Sequence, residues 1–251
     1  GPEEHWPLTP LVGLPQGDEG PFRLYNEWRL PGNYGCVYGL EDIWGASPLR
    51  LERYDKLFSA LPMERIWHLT NVKYVITWRK VLAPHSQVLY EEPQGEGTSY
   101  LHRLEESWPR AYVVHRAEVV DDDQRALALL ADPDFDPRQV ALLEERPELE
   151  LAGGGTADST VNIVERQPNR LVLEVETPAD GLLVLSEVYY PGWRAYVDGQ
   201  ETRVYRADYT LRAVFLRAGR HRVEMIYDPL SVKLGLAISL LTLIAVFAII
   251  V

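Results

Sequence analysis

The stretch WRAYVDGQETRVYRADYTLRAVFL, residues 193–216, decides how the second half of the chain folds. Apolar and polar side chains alternate through Trp193–Val197, the period of a half-buried strand. Asp198-Gly199 is the dipeptide favoured in a two-residue hairpin loop. Thr202–Tyr205 and Thr210–Leu216 read as the next two strands. The same spacing continues on both sides. Val161–Glu165, Leu171–Glu176 and Leu182–Tyr190 lie before this stretch and His221–Tyr227 after it, with turns at Pro168-Asn169 and Ala218-Gly219. Seven short runs with few helix signals predict an antiparallel β-sandwich over residues 158–229.

Asp228-Pro229 ends the last run, and the chain then turns apolar. LGLAISLLTLIAVFAIIV, residues 234–251, has no charged residue, and Ser239 and Thr242 are its only polar side chains. A bilayer core of about 30 Å takes roughly 20 such residues as a helix, because backbone polar groups in lipid must pair internally. Lys233 stands where a flanking cation can snorkel to the interface. A transmembrane helix is expected over 230–251, cut short by the end of the chain. The chain also begins at Gly1 rather than Met, so a piece of a longer protein is expected.

Before the sandwich the pattern is mixed. Residues 1–21 are rich in Pro and Gly and read as an extended lead-in. Ser47-Pro48 resembles a capped helix start, with Leu51, Tyr54, Leu57, Phe58 and Leu61 following at helical spacing. Pro62 opens a second helix that Asn71 can end. VKYVITW, residues 72–78, is β-branched and aromatic. Val88–Tyr90, Ser99–Leu104, Ala111–Val114 and Val140–Leu143 are further short strands. Asp121-Asp122-Asp123 begins a helix with acids at its positive end. Residues 22–150 thus read as a mixed α/β domain. The Gly-rich segment at 151–157 reads as a linker to the sandwich. The fold class is α+β.

The net charge of −12 argues against a nucleic-acid partner, which requires a basic face. Cys36 is the only cysteine, so neither an intrachain disulfide nor a cysteine-rich zinc site can form. The six histidines lack metal-ligand spacing. DPDFDP, residues 132–137, lacks the glycine and distal glutamate of a calcium loop and reads as a proline-bounded turn. No serine sits in a nucleophile elbow and no glycine pattern matches a phosphate loop. No catalytic residue, cofactor or metal is assigned.

The aromatic run at 189–198 has two open readings. Tyr189, Tyr190, Trp193 and Tyr196 can stack on sugar rings while Arg194 and Asp198 bond hydroxyls. Alternatively, Trp193, Ala195 and Val197 form core and Tyr189 and Tyr190 straddle a strand end.

LSEVYYPGWRAYVDG (185–199), together with GLEDIWGASPLRLERYDKL (39–57), NVKYVIT (71–77), WPRAYVV (108–114) and AGRHRVEMIYDPLSVKLGLAISL (218–240), resembles the YfhO-like bacterial membrane protein family. The family pattern has an aromatic directly after Gly45, where this chain has Ala46. The resemblance implies a polytopic protein similar to C-type integral-membrane glycosyltransferases that use lipid-linked sugar donors. The acidic catalytic loop of such proteins lies among N-terminal helices and matches nothing here. The resemblance therefore implies a non-catalytic extracytoplasmic module at the cell membrane. Its implied partners are the lipid bilayer, a missing N-terminal transmembrane part, and a glycan or lipid-linked sugar held near the membrane. The alternative is a structural or protein-interaction ectodomain with no carbohydrate ligand.

Overall fold

The computed structural model describes residues 7–47, 49–82, 85–95, 97–147, 151 and 158–250. They form six helices and fifteen strands in three mostly antiparallel sheets, an α+β fold ending in an apolar helix.

The first sheet holds β1 (Arg23–Asn26), β2 (Val72–Thr77), β3 (Ser86–Gln94) and β4 (Gly97–Leu104), in the order β1-β2-β4-β3. Its Leu24, Tyr74, Ile76 and Leu101 pack with Leu11 and Val12 of α1 (Pro10–Gln16) and Tyr34 of α2 (Tyr34–Val37). The extended lead-in expected at 1–21 is corrected here for residues 10–16, which are helical. Pro10 occupies the first turn, where a missing N–H costs nothing, and burying Leu11 and Val12 outweighs the poor propensity of Gly13 and Pro15.

A six-stranded sheet forms the centre of the molecule. It takes β5 (Ala111–Val114), β6 (Ala117–Val119) and β7 (Ala141–Leu143) from the first half of the chain. From the second half come β10 (Gly181–Val188), β13 (Val204–Ala207) and β14 (Leu211–Leu216), giving the order β5-β10-β14-β13-β7-β6. The third sheet, ordered β12-β11-β15-β9-β8, comprises β8 (Thr160–Gln167), β9 (Arg170–Thr177), β11 (Trp193–Val197), β12 (Gln200–Thr202) and β15 (Gly219–Tyr227).

Strand β10 shows why this sheet is central. Leu183 and Leu185 face the third sheet, where they meet Leu173, Ala195, Val223 and Met225. Leu182 and Val184 face the other way, toward Leu57 of α3 (Glu52–Ala60), Ile66 of α4 (Met63–Leu69) and Leu130 of α5 (Asp123–Ala131). A strand covered on both faces is apolar without interruption. The expected division into 22–150 and 158–229 does not coincide with the sheets, since β5 pairs with β10 and β7 with β13 across it. The linker expected at 151–157 lies outside the described residues except for Leu151, which packs on the core beneath the helices.

All seven runs read as strands in the second half are strands. The run at 202–205 divides, so that β12 joins the third sheet and β13 the central one. Asp198 and Gly199 both have positive φ, as the hairpin requires. The helix expected from Ser47-Pro48 starts five residues later, at Glu52. Ser47 instead closes a local turn through Leu49, whose side chain is exposed, so no apolar face is available there to continue the helix.

Beyond β15 the chain passes through Asp228-Pro229 into α6 (Leu230–Ile250). At 1.5 Å per residue its 21 residues reach about 31 Å, the thickness of a bilayer core. Among the described residues, none of Leu230–Ile249 is buried against the rest of the protein. A fully exposed helix of mean hydropathy 2.4 is matched to lipid, not to water.

Candidate functional site

The turn Tyr189-Tyr190-Pro191-Gly192 leads into β11 and lies against the base of α6. Gly192 has φ +106°, and a Cβ there would come within 3.1 Å of Pro229 and the Tyr227 ring, so glycine permits this close approach. Gly192 O accepts from Asp228 N at 2.8 Å. Lys233 and Arg194 both pair with the Asp228 carboxylate, whose pKa is lowered chiefly by the Lys233 hydrogen bond. The Tyr227 ring lies 6.3 Å from Tyr190 and 5.4 Å from Trp193. The aromatic turn is thus fastened to the first turn of the apolar helix.

The five candidate ligand residues divide in use. Trp193, Ala195 and Val197 point into the sandwich, which leaves Arg194, Tyr196 and Asp198 on the outer face. Arg194 forms a bidentate pair with Glu201 at 2.7 and 2.6 Å, and its guanidinium lies 5.6 Å from the Tyr196 ring centre. Asp198 accepts from Arg222 N at 2.8 Å and pairs with His221 at 2.7 Å; these two contacts lower its pKa, the backbone bond more. Tyr189 lies beneath the Arg206 guanidinium, 4.6 Å away. Tyr190 is 45% exposed, whereas Tyr189 and Tyr196 are half-buried.

A second constellation, not anticipated from the sequence, lies where the three sheets meet. Arg23 of β1, Arg110 before β5, Arg166 of β8 and Arg212 of β14 converge on Glu41 and Glu187 and line a cavity of about 440 Å³. Glu187 pairs with Arg110 at 2.6 Å, Arg23 at 3.2 Å and Arg212 at 3.3 Å. Glu41 pairs with Arg110 at 2.8 Å, Arg23 at 3.1 Å, and also Arg166. Arg23 further donates to Thr70 O and Ser186 O. The guanidinium of Arg212 covers Trp193 at 3.9 Å from the ring centre. Burial lowers both Arg23 and Arg212 to about 10, so both stay charged at neutral pH. Burial also acts to raise Glu187, but the charges of Arg23, Arg110 and Arg212 prevail and hold it below the usual range.

Irregular strand pairing creates this convergence. Leu185 pairs with Arg212 and Val188 with Leu211, so Ser186 and Glu187 form a bulge in β10. The bulge directs Glu187 toward the arginines and lets Ser186 Oγ donate to Leu69 O. In β8, Ile163 pairs with Leu173 but Glu165 with Val172, which leaves Val164 as an extra residue. That insertion reverses the alternation and puts Arg166, opposite Leu171, on the cavity side. The available sequence signal was weak: single arginines inside apolar runs, as in PFRLY, WPRAYVV and TLRAVFL.

The other acids flagged in the sequence have local roles. Asp122 caps α5 by accepting from Arg125 N, and Asp123 pairs with Arg53. Asp132 and Asp136 accept from Asp134 N and Arg138 N in the proline-bounded turn. Asp208 is different. It is fully buried, one carboxylate oxygen accepts from Leu142 N at 2.9 Å, and the other has no partner among the described residues. Burial pushes its pKa up to about 7. The folded state therefore holds a proton that the unfolded chain releases near pH 4. This contribution is complete below that value and is lost as pH rises through 7. The protein is expected to lose about 2–3 kcal/mol between pH 5 and pH 8 from this group. Asp208→Asn should flatten that slope in urea titrations at the two pH values; an unchanged slope would show that Asp208 ionises normally.

Compared with family models, residues 154–239 match the one described as "Bacterial membrane protein YfhO". The match spans all eight strands from β8 to β15, the aromatic turn, Arg166, Glu187 and Arg212, and the beginning of α6. It agrees with the resemblance read from the sequence, over about a third of the chain. No curated protein and no solved structure matches the chain. The family match and the exposed apolar helix together make this a membrane-associated module.

Proposed function

We propose that this chain is the non-catalytic extracytoplasmic module of a polytopic, glycosyltransferase-like membrane protein, and that it holds a glycan or polymer acceptor close to the bilayer. The observation that carries this reading is the fastening of the aromatic turn to Pro229 at the base of α6. A ligand stacked on Tyr190 would lie within a few residues of the lipid interface. Aromatic faces suit the C–H surfaces of sugar rings, and Tyr190 is the most exposed of the three candidate tyrosines. The rest of the parent protein, with its lipid-linked donor site, would lie in the membrane beside this module.

A second reading has its own support. Arg194 and Asp198 are already occupied by Glu201 and by His221 with Arg222, as in a purely structural face. Tyrosines beside a membrane helix also serve as interfacial anchors. Tyr190→Ala discriminates the readings. It should abolish binding on an array of neutral cell-envelope glycans while changing stability by less than about 0.5 kcal/mol, as exposed positions do. If the unmodified full chain in detergent binds no glycan, the structural ectodomain is the surviving account.

A further inference from the structure

The four arginines at the junction of the sheets are opposed by two glutamates, so the lining of the cavity carries a formal excess of two positive charges. The chain as a whole carries −12, so general composition does not account for this excess. The side chains of Arg110 and Arg212 are each only 4% exposed. Among the described residues, Arg110 Nη1 and Arg212 Nε and Nη1 have no hydrogen-bond acceptor. Taking an arginine out of water is costly unless charge and donors are both answered, and here neither is fully answered. Glu41 and Glu187 are meanwhile shared among the four cations and hold them in position. Guanidinium groups offer planar pairs of donors that fit oxyanions.

We infer that this cavity is an anion site that takes a phosphate group, bound by Arg110, Arg166 and Arg212 with Trp193 as its apolar wall. A phosphate monoester carries about −1.5 to −2 at neutral pH, which matches the excess of two. A phosphodiester headgroup or a single carboxylate would answer only half of it. A volume of about 440 Å³ also exceeds what a bare phosphate fills, leaving space for an attached group along Trp193. Arg166 is 40% exposed and forms the rim, whereas Arg110 and Arg212 form the floor. This inference does not depend on glycan binding at Tyr190, which does not line the cavity and is tested with neutral sugars.

The test uses the full chain in neutral detergent, with inorganic phosphate titrated against chloride at constant ionic strength. At ten times its dissociation constant, phosphate should raise the melting temperature by about 3–6 °C over chloride. Arg166→Gln, at the rim, should leave the melting temperature without phosphate nearly unchanged and weaken phosphate binding about tenfold by calorimetry. Arg212→Lys keeps the charge but loses the fork of donors, and should weaken binding similarly. A parallel arm replaces phosphate with vesicles of phosphatidylglycerol in phosphatidylcholine. Binding of the vesicles dependent on Arg166, with no response to free phosphate, would overturn the monoester assignment and identify a lipid headgroup as the anion's source. No stabilisation by phosphate over chloride, or stabilisation equal in Arg166→Gln and the unmodified chain, would overturn the site itself.

Discussion

Residues 158–228, produced without the first half of the chain, are expected not to fold, although they contain every strand of the sandwich read from the sequence. Their central sheet would lose β5 beside β10 and β7 beside β13, leaving two unpaired edges. The outward face of the same sheet would lose its cover. Leu182, Val184 and Tyr205, all at most 2% exposed in the intact protein, would meet water. Exposing each large apolar side chain costs about 1.5–3 kcal/mol, and a domain has about 5–15 kcal/mol in total. Near-ultraviolet circular dichroism should show no fixed aromatic environment in this fragment, and co-expression with residues 1–151 should restore it. For the same reason, cleavage within 152–157 should leave two pieces that elute together. A cooperative melt from 158–228 alone would establish the sandwich as an independent domain.

Glu187→Ala should cost about 3–5 kcal/mol, because it strands buried cations without their shared acceptor. Arg23 and Arg110 would then depend on Glu41, which is partly solvated, and Arg212 would lose the carboxylate it pairs with. Glu187→Gln preserves the shape and one acceptor oxygen but not the charge, so its loss should be smaller. Adding Arg212→Met to Glu187→Ala should recover part of the loss, since it removes one of the stranded charges and leaves an apolar side chain beside Trp193. Urea denaturation of the three variants in one detergent reads this order directly. Equal stability of Glu187→Ala and the unmodified chain would mean that the cluster is solvated enough to do without its carboxylate.

Much of the architecture is legible in the chain itself, because it depends on local periodicity. The alternation in Trp193–Val197, the positive φ demanded by Asp198-Gly199, and the uncharged run from Leu234 each follow from a few neighbouring residues. Errors arose where local signals competed with burial. Two prolines made 10–16 look extended, yet Leu11 and Val12 had a core to enter. Ser47-Pro48 looked like a cap, yet no apolar surface awaited Leu49.

What the sequence determined by itself was the order and type of most of the elements, and the membrane helix, since hydrophobic period and length are written residue by residue. The tertiary structure alone decided which strands share a sheet and which charges meet. Arg23, Glu41, Arg110, Arg166, Glu187 and Arg212 are separated by up to 189 positions, and neither spacing nor motif links them. Bulges at Val164 and at Ser186-Glu187 turn the side chains that complete the cluster. A bulge reverses which face a strand residue occupies, and its position is set by the packing of three sheets against one another, not by the residues that carry it.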